Sequence, residues 1–296
     1  MPALIDLRRR IKSVQNTQQI TQAMKTVSTA KFKKAQRSVL ESRPYWHTFP
    51  SFLHRAILGR EGNSLPLLAE REEQKTIVVI ITSDKGLCGA FNSNLLERAA
   101  DFITQKSQTC DLRLVLIGKK AAMFFKHLKF PIEKAYSEQE QSLTREKLNR
   151  LARFLIREYT LLQTDAVYAV YNEFKSILAP RITLYKLLPV EVKKKETEEG
   201  ERKEGWHAGL PPDWDPEENR FLATLLPLYV ENEIAHFFFE SIAAEHAARM
   251  MAMENATKNA QDLIEDLTRG LNKIRQASIT RELLEIMTAV EALAKK

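Results

Sequence analysis

Leu228 to Lys296 contains one glycine and no proline, and Ala3 to Arg43 contains neither. Glycine and proline are the residues that most destabilise a helix interior. Stretches this long without them can each run as one helix, and at ~1.5 Å per residue the first would reach roughly 60 Å. With nine glycines and eleven prolines in 296 residues, the whole chain is poor in breakers. Long helices at both ends leave the middle to supply the globular core.

The C-terminal stretch carries Met253, Ala256, Ala260, Leu263, Leu267, Gly270, Ile274 and Ala277 at alternating spacings of three and four. That is a heptad seam, which winds left-handedly against a partner helix. Half of it is alanine or glycine, so close approach of two backbones is expected at Gly270. In the N-terminal stretch Leu4, Leu7, Ile11 and Val14 keep a similar spacing. The pattern weakens through Gln15 to Gln19 and resumes at Ile20, Met24 and Val27.

Between the ends the pattern changes. Ile77 to Thr82 is a continuous β-branched run, the mark of a strand buried on both faces. Leu112 to Ile117, Ala166 to Tyr171 and Ile182 to Leu188 read as further strands, with helices at Asn94 to Lys106, Lys120 to Leu128 and Thr144 to Leu162. This alternation predicts a small, mostly parallel α/β sheet. The expected fold is therefore an α/β domain inserted between two long terminal helices that form an antiparallel left-handed coiled coil. Its parts are residues 1–60, an N-terminal shaft helix; 75–192, a Rossmann-like base; 193–218, a charged and proline-rich loop; and 219–296, a C-terminal shaft helix.

The formal charge of +7 is uneven, since residues 1–43 hold ten basic side chains and two acidic ones. A basic helix expects an acidic partner: nucleic acid, an anionic membrane or an acidic protein surface. The two cysteines, Cys88 and Cys110, form neither a CxxC motif nor a disulfide framework, which fits a reducing compartment. The sequence has no apolar run long enough to span a membrane and no export signal, so any membrane link is expected to be indirect.

SDKGLCGAFNSN, residues 83–94, follows the first strand and could cradle phosphate. It lacks the Lys-Ser/Thr of a Walker loop and the third glycine of a dinucleotide loop. A structural turn is expected, with glycine at positive φ, Asn92 or Ser93 capping the next helix, and Cys88 buried. Glu233-x-x-His236 has a di-iron spacing but no second copy, so His236 is expected to face solvent or cap. Asp213, Asp215, Glu217 and Glu218 lack the spacing of a calcium loop. No catalytic, cofactor or metal residues are assigned.

Three segments in order, RRRIKSVQNTQQITQAMKTVSTAKFKKAQ (8–36), ITSDKGLCGAFNSN (81–94) and EHAARMMAMENATKNAQDLIEDLTRGLNKIRQASITRELLEIMTAVEAL (245–293), resemble the gamma subunit family of F-type ATP synthases. The resemblance implies a non-catalytic rotor shaft standing inside a ring of alpha and beta subunits. It would be driven by a membrane c-ring and would sit peripherally on the cytoplasmic face of a bacterial inner membrane. No cofactor, direct membrane span or homo-oligomer is implied. Arg275 and Gln276 match positions that contact a beta-subunit catch loop. Met24 and Lys25 lie near the acidic beta-subunit lever. Arg8, Arg9, Arg10 and Lys31 belong to a basic stripe facing the ring. Ile279, Leu283, Ile286, Met287 and Val290 would enter an apolar sleeve. Trp206, Asp213 and Asp215 would lie at the foot, near the c-ring and the epsilon subunit. No cysteine pair for thiol regulation is present. The alternatives are a basic coiled-coil protein that binds nucleic acid and an α/β enzyme with helical arms.

Overall fold

The computed structural model describes residues 2–57, 65–128, 130–137, 145–176, 180–190 and 218–294. They divide into two compact units, one made of Met1–Ala30 with Arg249–Lys296, the other of Lys31–Ala248. The two long helices, α1 (Pro2–Ile57) and α5 (Glu218–Ala294), contribute residues to both. The expected loop at 193–218 lies almost wholly outside the described residues, and Trp206, Asp213 and Asp215 lie there with it.

The larger unit is built on a five-stranded sheet in the order β3-β2-β1-β4-β5. Its strands are β1 (Lys75–Ile81), β2 (Asp111–Ile117), β3 (Ile132–Tyr136), β4 (Ala166–Glu173) and β5 (Arg181–Leu188). The first four run parallel and β5 is antiparallel to β4. Because side chains alternate along a strand, β1 serves two cores at once. Ile77, Val79 and Ile81 point into one, while Val78 and Ile80 point into the other. Helices α2 (Phe91–Lys106) and α3 (Lys119–His127) cover the second face through Leu95, Leu96, Ala99, Ile103, Ala121 and Phe125. Helix α4 (Arg145–Thr160) and the first part of α5 cover the first face. Strand β3 has no apolar run to mark it in the sequence. Its IEKAY sequence lies at the sheet edge, where most side chains are exposed and no apolar run is needed.

Helix α5 begins ten residues before Leu228 and passes through Pro227. A proline removes one backbone donor and costs ~3 kcal/mol in a helix interior. Burial of Leu222, Leu226, Val230 and Ile234 on one face offsets that cost by packing. Just beyond, Glu233 is 7% exposed. Burial pushes its carboxyl up to about 7. The folded chain therefore holds a proton that the unfolded chain has already released above its ordinary value. Stability from this group is complete at low pH, falls as pH rises toward about 7 and then levels off. The slope is at most ~1.4 kcal/mol per pH unit. Urea unfolding across this range should show the decline, and Glu233→Gln should flatten it. An unchanged slope in the variant would assign the decline to other groups.

In the smaller unit, polar contacts tie the two helices together. Gln18 Nε2 donates to Gln261 Oε1 at 2.8 Å, Thr257 Oγ1 donates to Thr21 Oγ1 at 2.8 Å, and Lys25 Nζ lies 3.1 Å from Glu254 Oε1. Numbers rise along α1 as they fall along α5, so these segments run in opposite directions. Up to Ser28 the less exposed positions of α1 are Leu4, Leu7, Ile11, Val14, Gln18, Thr21, Lys25 and Ser28, a three–four alternation, with Met24 half-buried beside it. The heptad therefore does not lapse at Gln15 to Gln19 but continues through polar residues, while Ile20 and Val27 lie outside it, more than half exposed. On α5 Met253 and Ala260 are buried and Leu267 is half-buried. Leu263 and Ala277 are exposed where their neighbours Ile264 and Ser278 are half-buried, and Ile274 is exposed. Ala256 and Gly270 are only as covered as Thr257 and Leu271. Alternating spacings allow two phases one residue apart, and burial is more continuous along the one through Thr257, Ile264, Leu271 and Ser278. A Cβ on Gly270 would meet nothing within 4 Å, so close packing does not explain that glycine. Gly270→Ala should then raise stability by up to about 1 kcal/mol through helix propensity. A lower melting temperature would show that the position is crowded after all.

Candidate partner-binding surface

The turn after β1 is the first place to look for a ligand site, because the strand order reverses between β1 and β4. In open α/β sheets small molecules bind at that point. Here the chain fills it. Cys88, Phe91, Phe174, Phe32, Val39 and Ala243, Ala244 and Ala247 of α5 form one apolar cluster there. Phe32 and Phe174 meet edge to face with centroids 5.3 Å apart, and Glu240 accepts the Phe174 amide at 2.7 Å. The start of α3, where a phosphate would dock, is also occupied. Its amides at Lys119, Lys120 and Ala121 donate to Asp84 Oδ1, the Ser83 carbonyl and Thr82 Oγ1. The turn is thus welded to its neighbour by the protein's own oxygens.

Asn92 does not cap α2, whose N-cap is Ala90 without a side-chain bond. Its amide instead accepts from Ser83 N and donates to Ser83 Oγ and Cys88 Sγ, all within 3.1 Å. Gly89 takes positive φ as expected, and so does Leu87. His236 is half-buried inside α5, away from the helix end, and its ring lies 3.9 Å from that of Trp46, centroid to centroid. Among the described residues no group of His, Cys, Asp and Glu could hold a metal ion. None of their helices is long and apolar enough to cross a membrane.

The surface with unspent binding capacity is on the helices. Arg8, Arg9, Arg10 and Lys31 are exposed, as are Arg275 and Gln276. Met24 and Lys25 are half-buried, and Lys25 is paired with Glu254 across the helices. Followed at the register of the Gln18–Gln261 contact, the start of α1 falls opposite Ala277 of α5. Beyond that point α5 continues for four turns with its apolar side chains in the open. Ile279, Leu283, Leu284, Ile286 and Val290 are half exposed or more, and Met287 is 67% exposed. Ile279, Leu283, Met287 and Val290 recur at i, i+4, i+8 and i+11, one face of a helix. An exposed apolar face of this extent marks an interaction site. Leu284 belongs to the patch and was missed in the sequence, since it falls off the three–four pattern.

The fold, two long helices framing a small mixed sheet, is that of ATP synthase central stalks. It matches the rotor of the Euglena gracilis mitochondrial ATP synthase with a TM-score of 0.66 at 19% identity, covering 94% of this chain and 99% of that one. The central stalk of the Tetrahymena thermophila mitochondrial enzyme matches with a TM-score of 0.56 at 22% identity, over 80% of this chain and 99% of that one. A family model described as ATP synthase matches residues 3–293. The ATP synthase gamma chain of Pelotomaculum thermopropionicum is 43% identical over 293 residues, 99% of this chain and 100% of the relative. That of Desulforudis audaxviator is 40% identical over 299 residues, with the same coverage. The chain belongs to the ATP synthase gamma chain family.

Proposed function

We propose that this chain is the gamma subunit of a bacterial F-type ATP synthase and works as its central rotor shaft. The observation that carries the proposal beyond family membership is the open apolar face of α5 from Ile279 to Val290, which fits a sleeve supplied by other subunits. The alpha and beta subunits would form that sleeve, and the c-ring would turn the shaft from the membrane side. The subunit would have no active site of its own and would act as a peripheral protein on the cytoplasmic face of the membrane.

In this reading the two helices wind into a left-handed antiparallel coiled coil. An asymmetric rod cannot meet three equivalent catalytic subunits alike, so it favours a different conformation in each by differential contact. Turning it exchanges those conformations and couples rotation to ATP synthesis or hydrolysis. Arg8, Arg9, Arg10, Met24, Lys25, Lys31, Arg275 and Gln276 would contact the ring, and the exposed charges among them fit acidic surfaces with salt-sensitive strength. Trp206, Asp213 and Asp215 would serve the foot, toward the c-ring and the epsilon subunit. The full-length family match does not support the nucleic-acid alternative. Purified alpha and beta subunits should hydrolyse ATP much faster once this chain is added, and the three should co-purify. Hydrolysis unchanged by the chain would sink the assignment.

A further inference from the structure

We infer that the outward face of α3 is a contact surface for the anionic headgroup layer of a membrane, met from outside the bilayer and without a span. This rests on the reading above that the chain works as a peripheral subunit at a membrane face. It adds a direct lipid contact to the indirect link expected from the sequence. Ala121 and Phe125 are fully buried and hold α3 to the sheet, and its first amides are bonded to Thr82, Ser83 and Asp84. What the helix turns outward is therefore fixed. Met123 is 60% exposed, Phe124 and Leu128 are also in the open, and so is Leu87 in the turn beside Lys120. Between Gly118 and Ile132 the sequence holds Lys119, Lys120, Lys126 and Lys129 and no acidic residue. The neighbouring α2 exposes Glu97, Arg98 and Asp101, so the basic apolar surface stops at α3.

Two features favour lipid over a protein partner. Protein interfaces are enriched in arginine and depleted in lysine, yet the fixed positive charges of this segment are all lysine. A lysine stem can lie along apolar chains while its ammonium reaches the phosphates, and each lysine near an anionic leaflet adds attraction. Methionine, phenylalanine and leucine between such lysines are the side chains that dip into the acyl boundary. The second feature is rotation. A fluid lipid layer presents the same surface at every angle, so contact with it does not hold a turning shaft at one position, as contact with a fixed protein would.

Total binding to vesicles is no test, because the basic side chains of α1 attract anionic lipid as well. A position-specific signal is needed. The full-length chain carrying Met123→Cys is labelled with a fluorophore and assembled with alpha and beta subunits. Cys88 and Cys110 are buried and escape labelling, and the native chain treated alike is the blank. Brominated acyl chains quench only a label that reaches the apolar layer. Vesicles of equal parts phosphatidylcholine and brominated phosphatidylglycerol should quench it, and vesicles of brominated phosphatidylcholine alone should not. A label at Leu161→Cys, exposed after α4 on the opposite face of the sheet, should stay bright. Lys120→Glu with Lys126→Glu should raise the lipid concentration for half quenching about tenfold or more. A label at Met123→Cys that stays bright, or equal quenching at Leu161→Cys, would overturn the proposal. So would a lysine variant that binds unchanged, or a label at Met123→Cys shielded by another subunit before lipid is added. Failure of the native chain to assemble with alpha and beta subunits would instead remove the rotor reading on which it stands.

Discussion

Gly118→Ala is expected to destabilise the α/β body by about 3 kcal/mol or more. Gly118 sits at φ +97°, a conformation that favours glycine, and its Cβ would lie 2.3 Å from the Thr82 carbonyl oxygen and 2.6 Å from Thr82 Oγ1. Neither atom can yield cheaply. Thr82 N donates to the Ile117 carbonyl at 2.8 Å, and its hydroxyl bridges that carbonyl and the Ala121 amide. Relieving the clash would break the weld between the β1 and β2 turns and open both cores below. Gly86→Ala is the control, since a Cβ there meets the end of the Lys120 side chain at 3.9 Å and no nearer atom. Urea unfolding of the two variants should separate them clearly. Equal midpoints would mean that the two turns are not packed as described.

Leu283→Asp combined with Met287→Asp should leave the chain folded and weaken its hold on the alpha and beta subunits by roughly 10- to 100-fold. Both side chains are exposed in the free chain, at 57% and 67%, so their loss removes little internal packing. A buried aliphatic side chain contributes about 1.5–3 kcal/mol, and part of that is offset by the ordering that binding requires. One turn apart, the two residues would enter the same wall of a sleeve. Titrating the variant into alpha and beta subunits and following ATP hydrolysis measures the shift, with circular dichroism as the check on folding. Native affinity would show that the apolar end of α5 is not gripped.

What the residues disclosed before any coordinates depended on how strongly burial marked them. Ile77 to Ile81 is enclosed on both sides and reads as an uninterrupted apolar run. Ile132 to Tyr136 pairs on one edge and meets solvent elsewhere, so its lysine and glutamate hide a strand. The long helices were legible in length, and their covered faces less so. The covered positions of α1 include Gln18 and Thr21, which give no hydrophobic contrast, and the exposed Ile20 and Val27 supplied a false one. Asn92 looked like a cap because Asn caps helices in general, yet its bonds run to Ser83 and Cys88, a pairing that only the folded turn reveals. The exposed patch near Leu283 was expected from family resemblance, since nothing in its composition distinguishes it from a core-facing helix.

The placement of α5 has a consequence during translation. One face of the sheet is sealed by Leu222, Leu226, Tyr229, Val230, Ile234 and Phe237, which leave the ribosome only after every strand has been made. Until then Ile77, Val79 and Ile81 have α4 as their main cover, and the nascent body carries a greasy wall while its lid is still being synthesised. A growing chain of this design should therefore lean on chaperones late rather than early, and release from them should track the emergence of α5.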